Sequence, residues 1–374
     1  VTKKLKISVA KEIESLVAYP PGKPRKELER ELGVSESIKL ASNENPLGPS
    51  RLAIEAIASE LSELNRYPDG SCFYLREALA SSLNVSGNSL IFGNGSNEII
   101  ELLVRTFVNP GENVVMGDPS FAVYPIITQA GRGESRKVPL NCLSIDLKAM
   151  ACAIDDKTRL VFISNPNNPT GTIVGKAELK EFIDNIPDNV IICMDEAYYE
   201  YVTSPDYPDC IEFVREGSPV IVLRTFSKVY GLAGLRIGYG IADPEIIGYM
   251  DRVRQPFNVN SLAQAAALAA LKDTAHIEAT LEINKEGIEY LFTELKDMDM
   301  ECVSTEANFF LVKVGDGKGL YQSLLKQGVI VRPMDNFGLP EYIRVTIGTM
   351  DENKRFITTL RSLYGEGSDV ASRA

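Results

Sequence analysis

Apolar positions along the chain fall into two alternating rhythms. Short continuous runs are bounded by turn residues: "SLIFG" (89–93), "NVVMGD" (113–118), "RLVFIS" (159–164), "VIICMDE" (190–196), "PVIVL" (219–223) and "RIGYGIA" (236–242). Between them lie stretches with apolar residues at helical spacing, such as "SNEIIELLVRTFV" (96–108), a segment near Tyr124 to Gln129, and "KAELKEFIDNI" (176–186). Uninterrupted β-branched runs have no polar face to turn to water. Alternating with helices, they predict a mostly parallel, doubly covered sheet, an α/β architecture.

The rhythm changes toward the C-terminus. Helical spacing is predicted over roughly 245–255, 260–272 and 274–297, followed by the strand "ANFFLVKV" (307–314) and the helix-like "GLYQSLLKQ" (319–327). Two strands, "VIVRPM" and "YIRVTIG", and a helix from near Asp351 complete the pattern, which reads as a small α+β domain. The Pro-rich "YPPGKP" (19–24) reads as an arm or as part of that smaller unit. The expected division is 1–45 for the arm and part of the small domain, 46–258 for the large domain and 259–374 for the small one. No internal repeat or low-complexity tract interrupts it.

Composition narrows the function. Of the 374 residues, 44% are hydrophobic and 24% charged, which is ordinary for a globular chain with a sizeable core. The net charge of −12 argues against nucleic acid or an anionic membrane as the main partner, while leaving room for a local basic pocket. Six cysteines, at 72, 142, 152, 193, 210 and 302, form no CxxC pair, so reduced thiols are expected rather than zinc or a redox pair. His276 is the single histidine, which makes a multi-histidine metal site or a Ser-His-Asp triad improbable. No run approaches the ~20 apolar residues of a membrane helix. Lys11, Glu12 and Glu14 break any apolar stretch behind the N-terminal lysines, so export is not expected and a cytoplasmic location is.

In an open parallel sheet, ligands bind beyond the carboxyl ends of the strands. Several polar residues occur there. Asn97 follows "SLIFG", "NPNNPTG" (165–171) follows "LVFIS", Asp195 and Glu196 end "VIICM", and Lys228 follows "PVIVL". A lysine at the end of a buried strand is costly to desolvate unless it is paired or used. It could be an ion-pair partner, a phosphate binder or a nucleophile. A nucleophilic lysine forms a Schiff base with a carbonyl, and pyridoxal phosphate is the commonest aldehyde partner. That cofactor needs a carboxylate for its ring nitrogen, and Asp195 is a candidate. It also needs packing for its ring, and Phe121 in "DPSF" could supply that. Its phosphate needs a helix N-terminus with hydroxyls and a cation. "GNGSNE" (93–98), Thr225, Ser227 and Arg236 could provide those. "GNGSNE" lacks the third glycine of a dinucleotide fingerprint.

"NPNNPTG", "CMDEAYYEY", "TFSKVYGLAGLRIGY" and "RVTIGT", in that order, resemble the fold-type I pyridoxal-phosphate aminotransferases over about Tyr19 to Gly348. Within that group, "YPPGKP", "ASNENPLGPS", "RYPDG", "GNGSNEII" and "VIVRPM" are most similar to the histidinol-phosphate aminotransferase family. The resemblance implies an aspartate-aminotransferase-like fold with pyridoxal 5'-phosphate as cofactor. The implied reaction transfers an amino group from a small donor to a 2-oxo acid, most like histidinol phosphate and 2-oxoglutarate.

The resemblance also implies roles. Lys228 would carry the cofactor and act as base, and Asp195 would pair with the ring nitrogen. Asn168 and Tyr198 would bond the ring hydroxyl, and Phe121 would stack on the ring. Ser96, Asn97, Thr225, Ser227 and Arg236 would hold the cofactor phosphate. Tyr67 would reach the neighbouring site of a homodimer. Arg344 would bind a carboxylate, while Arg332, Tyr19 and Asn43 would face the substrate. Many relatives carry tyrosine where Phe121 stands and an acidic residue where Asn97 stands. Neither change removes the stacking ring or the backbone N–H groups. The alternatives are an aromatic or broad-specificity aminotransferase, a phospho-amino-acid decarboxylase on the same scaffold, and a non-catalytic ligand-sensing module.

Overall fold

The computed structural model describes residues 7–18, 22–33 and 36–371. Its strands in chain order are β1 (Ile38–Lys39), β2 (Leu90–Gly93), β3 (Asn113–Asp118), β4 (Glu134–Pro139), β5 (Thr158–Ser164) and β6 (Ile191–Asp195). They continue with β7 (Val220–Thr225), β8 (Gly238–Ile241), β9 (Phe309–Lys313), β10 (Val329–Ile330), β11 (Arg332–Pro333) and β12 (Tyr342–Thr346). Seven of them form one sheet in the order β2-β8-β7-β6-β5-β3-β4. All neighbouring pairs from β7 to β4 are parallel, and only β8 runs against its two neighbours. The expected mostly parallel α/β sheet is therefore present.

The strand sequences explain the double cover. Leu160 and Phe162 of β5 join one apolar cluster with Ile99, Leu103, Cys193 and Ile221. Val161 and Ile163, pointing the other way, join a second cluster with Leu179, Ile192, Met194 and Val222. Each face is buried, and each fully buried Val, Leu, Ile or Phe side chain contributes roughly 1.5–3 kcal/mol. The helix Ser96–Phe107 buries Ile99, Ile100, Leu102, Leu103 and Val104, a stripe at helical spacing that docks it on the sheet.

The smaller part holds an antiparallel sheet β11-β12-β9 and a two-stranded parallel pair, β1 with β10. Through β1 the N-terminal segment packs with the C-terminal part. One expectation needs correction, and one strand was unforeseen. "VIVRPM" does not form one strand: Val331 separates β10 from β11, and the two pair in different sheets. β4 was not expected at all, since "ESRKVP" carries no apolar run; as an edge strand it needs only β3 beside it. The Ala-rich helix Ser261–Ala270 packs Ala263, Ala266, Ala267 and Ala270 into the large-sheet cluster. Helix Thr274–Lys296 then reaches the small-sheet cluster with Leu291 and Leu295. We propose the domain boundary within that helix rather than at residue 258.

Candidate active site

The C-terminal ends of β2, β3, β5, β6 and β7 open on one cavity of about 230 Å³. At its lysine, strand β7 ends at Thr225 and the chain turns through Phe226 and Ser227 to Lys228. Phe226 is fully buried and anchors the turn, stacking at an angle on Tyr230 and Tyr239. Lys228 Nζ lines the cavity and donates to the Ser42 carbonyl at 3.3 Å. Desolvation, and then the positive charge of Arg344, bring its pKa down to about 8.

Asp195, the last residue of β6, is 3% exposed and lines the same cavity. Its Oδ2 accepts from the Tyr124 hydroxyl at 2.7 Å, and its Oδ1 accepts from the Ala197 N–H at 3.2 Å. Burial raises its pKa, and the Tyr124 hydrogen bond opposes that rise. Tyr124 is fully buried and stacks on Phe162 with centroids 4.6 Å apart. Desolvation holds its hydroxyl protonated far above the ordinary tyrosine range, so it remains a donor. Sequence reading missed Tyr124. The available signal was its place three residues after Phe121, on the helix Val123–Ala130 that packs behind β3 and β5.

An anion cup lies beside the lysine. Ser96 and Asn97 open the helix Ser96–Phe107, so their N–H groups have no intrahelical partner. Thr225 Oγ1 donates to Ser227 Oγ at 3.0 Å and accepts from the Ser227 N–H at 3.1 Å. Arg236 donates to Ser227 Oγ at 3.3 Å. Two glycines keep the cup open. A Cβ on Gly95, which has φ +78°, would lie 2.3 Å from Arg236 Nη2, and a Cβ on Gly238 would lie 2.5 Å from the Ser96 N. Backbone N–H groups, hydroxyls and a guanidinium around one space suit a phosphate.

The remaining wall comes largely from the smaller part. Arg332 of β11 and Arg344 of β12 are register partners, directly opposite across two antiparallel strands, and both line the cavity. Guanidinium groups at a cavity wall suit an oxyanion. Arg344 donates to Asn168 Oδ1 at 2.5 Å and to the Ala41 carbonyl at 2.9 Å. Asn43, at φ +55°, donates from Nδ2 to the Tyr198 hydroxyl at 2.9 Å and accepts from Thr346 Oγ1 at 3.0 Å. Phe121 is half-buried at the wall and meets Tyr124 edge to face at 5.5 Å.

The expected site residues of this protomer that the structure describes thus converge on the cavity. Tyr67 does not line this cavity: it is 83% exposed and stacks on Phe257 at 4.8 Å. Tyr19 lies outside the described residues. Among the described residues, no group of three or more His, Cys, Asp or Glu could hold a metal ion. Nor is any helix among them long and apolar enough to cross a membrane.

Comparisons with known proteins give the family and several relatives. The family model described as "Aminotransferase class I and II" matches residues 35–360. A histidinol-phosphate aminotransferase of Moorella thermoacetica is 51% identical over 353 residues, 94% of this chain and 92% of the relative. Another, of Desulfotalea psychrophila, is 47% identical over 97% of both chains. Among solved structures, the Sinorhizobium meliloti histidinol-phosphate aminotransferase in complex with pyridoxal-5'-phosphate superposes with a TM-score of 0.86. It is 25% identical, over 95% of this chain and 98% of that one.

Proposed function

The chain belongs to the aminotransferase class I and II family, and from that premise we propose that it moves the amino group of histidinol phosphate to 2-oxoglutarate, giving imidazole-acetol phosphate and glutamate. This is a step of histidine biosynthesis, and we place it in the cytoplasm. The observation that carries the reading is one cavity that holds Lys228, Asp195, an anion cup and the cross-strand arginine pair.

The residues present fit pyridoxal 5'-phosphate. The cup, whose Arg236 and Ser96 a Cβ on Gly95 or Gly238 would push aside, suits its phosphate, and the buried Asp195 carboxylate suits its ring nitrogen. When bound, the cofactor supplies a carbonyl that links to amines and a ring that takes up the electron pair released at the substrate carbon. Lys228 would hold the cofactor, and its Nζ would accept the substrate's α-proton. A pKa of about 8 leaves roughly a tenth of such an amine neutral at pH 7, against about 0.03% for an ordinary lysine. Asp195 holds a proton at the ring nitrogen, with Tyr124 fixing its orientation. Asn168 and Tyr198 bond the ring hydroxyl, and Phe121 covers a ring face. Ser96, Asn97, Thr225, Ser227 and Arg236 bind the phosphate.

Arg332 would take the phosphate of histidinol phosphate, and Arg344 the α-carboxylate of glutamate. A bidentate guanidinium fork matches either oxyanion. Tyr67, Phe73 and Tyr74 are 83%, 54% and 73% exposed, and such an aromatic patch suits burial against a second copy. We take the active unit as a homodimer in which Tyr67 reaches the partner's site.

The test is initial-rate kinetics with a panel of amino donors. Histidinol phosphate should give the highest kcat/KM, above phenylalanine and histidinol. A preference for phenylalanine would move the assignment to an aromatic aminotransferase. Carbon dioxide release from phosphothreonine without amino transfer would move it to a decarboxylase.

A further inference from the structure

We propose that the buried ion pair between Glu196 and Arg224 is a positioning pair, fixing the base Lys228 relative to the ring-nitrogen partner Asp195. The inference rests on the roles just proposed for those two residues. Glu196 directly follows Asp195, and Arg224 lies four residues before Lys228. Arg224 Nε and Nη2 both reach Glu196 Oε2, at 2.9 and 2.8 Å. The two side chains are 5% and 0% exposed, and neither lines the cavity. Successive strand residues point to opposite faces. Asp195 and Thr225 face the crevice, so their neighbours Glu196 and Arg224 meet behind it.

The location of the pair decides its effect. The last register partners of β6 and β7 are Asp195 and Leu223, and the Glu196 N–H donates to the Leu223 carbonyl at 2.9 Å. Past that rung β6 gives way to a turn at Glu196, while β7 continues beside β8 to Thr225. The ion pair ties β6 and β7 together at the point where their backbone ladder stops. Arg224 also lies over the Tyr199 ring, its guanidinium carbon 3.5 Å from the centroid. Tyr199 follows Tyr198, so the same guanidinium steadies a third cavity residue through its neighbour. A buried ion pair is weak evidence for stability, because desolvation offsets most of its attraction. The Nε–Oε2 hydrogen bond, with Nη2 held close to the same oxygen, does, however, fix the distance between the two strand ends.

The pair is net neutral. Replacing both partners with apolar residues of similar size removes no net charge from the pair; Glu200, which Arg224 also faces, then protonates more readily, but none of the three is among the groups that shift Lys228. The double replacement also avoids the strong destabilisation caused by leaving one buried charge unpaired. Any change at Lys228 then reports geometry.

The experiment uses the double variant Glu196→Leu/Arg224→Met, with Arg224→Lys as the variant that keeps the charge but loses the fork. Wild type is first reduced with borohydride in the presence of pyridoxal phosphate and mapped by peptide mass. Thermal midpoint, kcat and KM for the best donor, and cofactor dissociation constant are then measured. The pH midpoint of Lys228 modification by trinitrobenzene sulfonate in cofactor-free protein is measured as well. The expected result is a folded double variant whose kcat falls by at least ~10-fold, about 1.4 kcal/mol of barrier, while KM changes by less than ~3-fold. Its Lys228 modification midpoint moves away from that of wild type, and Arg224→Lys lies between. A folded double variant with wild-type kcat and wild-type midpoint overturns the inference. So does a wild-type Arg224→Lys if the double variant fails to fold. A wild type labelled on a different lysine overturns the proposed roles together with this inference, and so separates the two failures.

Discussion

Replacing Arg344 with methionine should separate the two half-reactions. The substitution keeps much of the side chain's length and its packing near the Phe309 ring, over which the guanidinium carbon sits at 5.1 Å. It removes the donors to Asn168 and to the Ala41 carbonyl. Loss of the Asn168 contact loosens a cofactor neighbour, and that cost falls on both half-reactions equally. Loss of the carboxylate contact falls on glutamate alone, since histidinol phosphate has no carboxylate. A hydrogen bond to a charged group is worth about 1.5–3 kcal/mol, which converts to roughly 10- to 150-fold. The glutamate half-reaction should therefore slow by at least ~10-fold more than the histidinol-phosphate half-reaction. The assay is stopped-flow single turnover with each substrate, under conditions where circular dichroism shows both proteins folded. Arg332→Met serves as the converse, raising KM for histidinol phosphate more than for histidinol. Equal losses for both substrates in Arg344→Met would refute the carboxylate role.

Capture of pyridoxal phosphate by cofactor-free protein requires the neutral lysine. With the Lys228 pKa lowered to about 8, the capture rate should rise with pH and level off near that value. A rise continuing toward pH 10.5 would show an ordinary lysine. Asp195→Asn should retain cofactor yet lose ~10²-fold or more in kcat. Burial raises the Asp195 pKa above its unfolded value, so its stabilising contribution is full below the unfolded pKa and is lost as pH rises through the folded one. At pH 7 the cofactor-free Asp195→Asn protein should accordingly melt no lower than wild type, and a clear drop would contradict this. Tyr67→Ala should weaken cofactor retention without changing the Lys228 pH midpoint, as read by dialysis and cofactor absorbance. Unchanged retention would remove Tyr67 from the partner's site.

The sheet was legible because its strands are buried on both faces and so lack polar positions. β4 was not, because an edge strand reading Glu-Ser-Arg-Lys-Val-Pro buries little. The split of β10 from β11 was hidden for a different reason: one apolar run serves two sheets, and only tertiary pairing shows where it divides. The gathering of Lys228, Asp195 and the cup residues at one cavity was legible because they follow buried strands whose carboxyl ends share one edge of the sheet. Tyr124 was not, because an apolar helical stripe reads as core and its hydroxyl partner lies 71 residues away. Glu196 was expected beside Asp195 at the crevice, but it does not line the cavity and pairs with Arg224, a residue without a sequence signal, because their contact spans 28 residues.

The amino transfer proposed at Lys228 has a direct optical readout. Cofactor-loaded protein is mixed with histidinol phosphate and no acceptor, then with 2-oxoglutarate, while the visible absorbance is followed. The visible band should fall by one equivalent per site with release of imidazole-acetol phosphate, and should return on addition of 2-oxoglutarate with one equivalent of glutamate formed. Lys228→Ala protein carrying cofactor should show no such cycle. A wild-type band that is unmoved by histidinol phosphate, or a Lys228→Ala protein that cycles normally, would contradict the assignment.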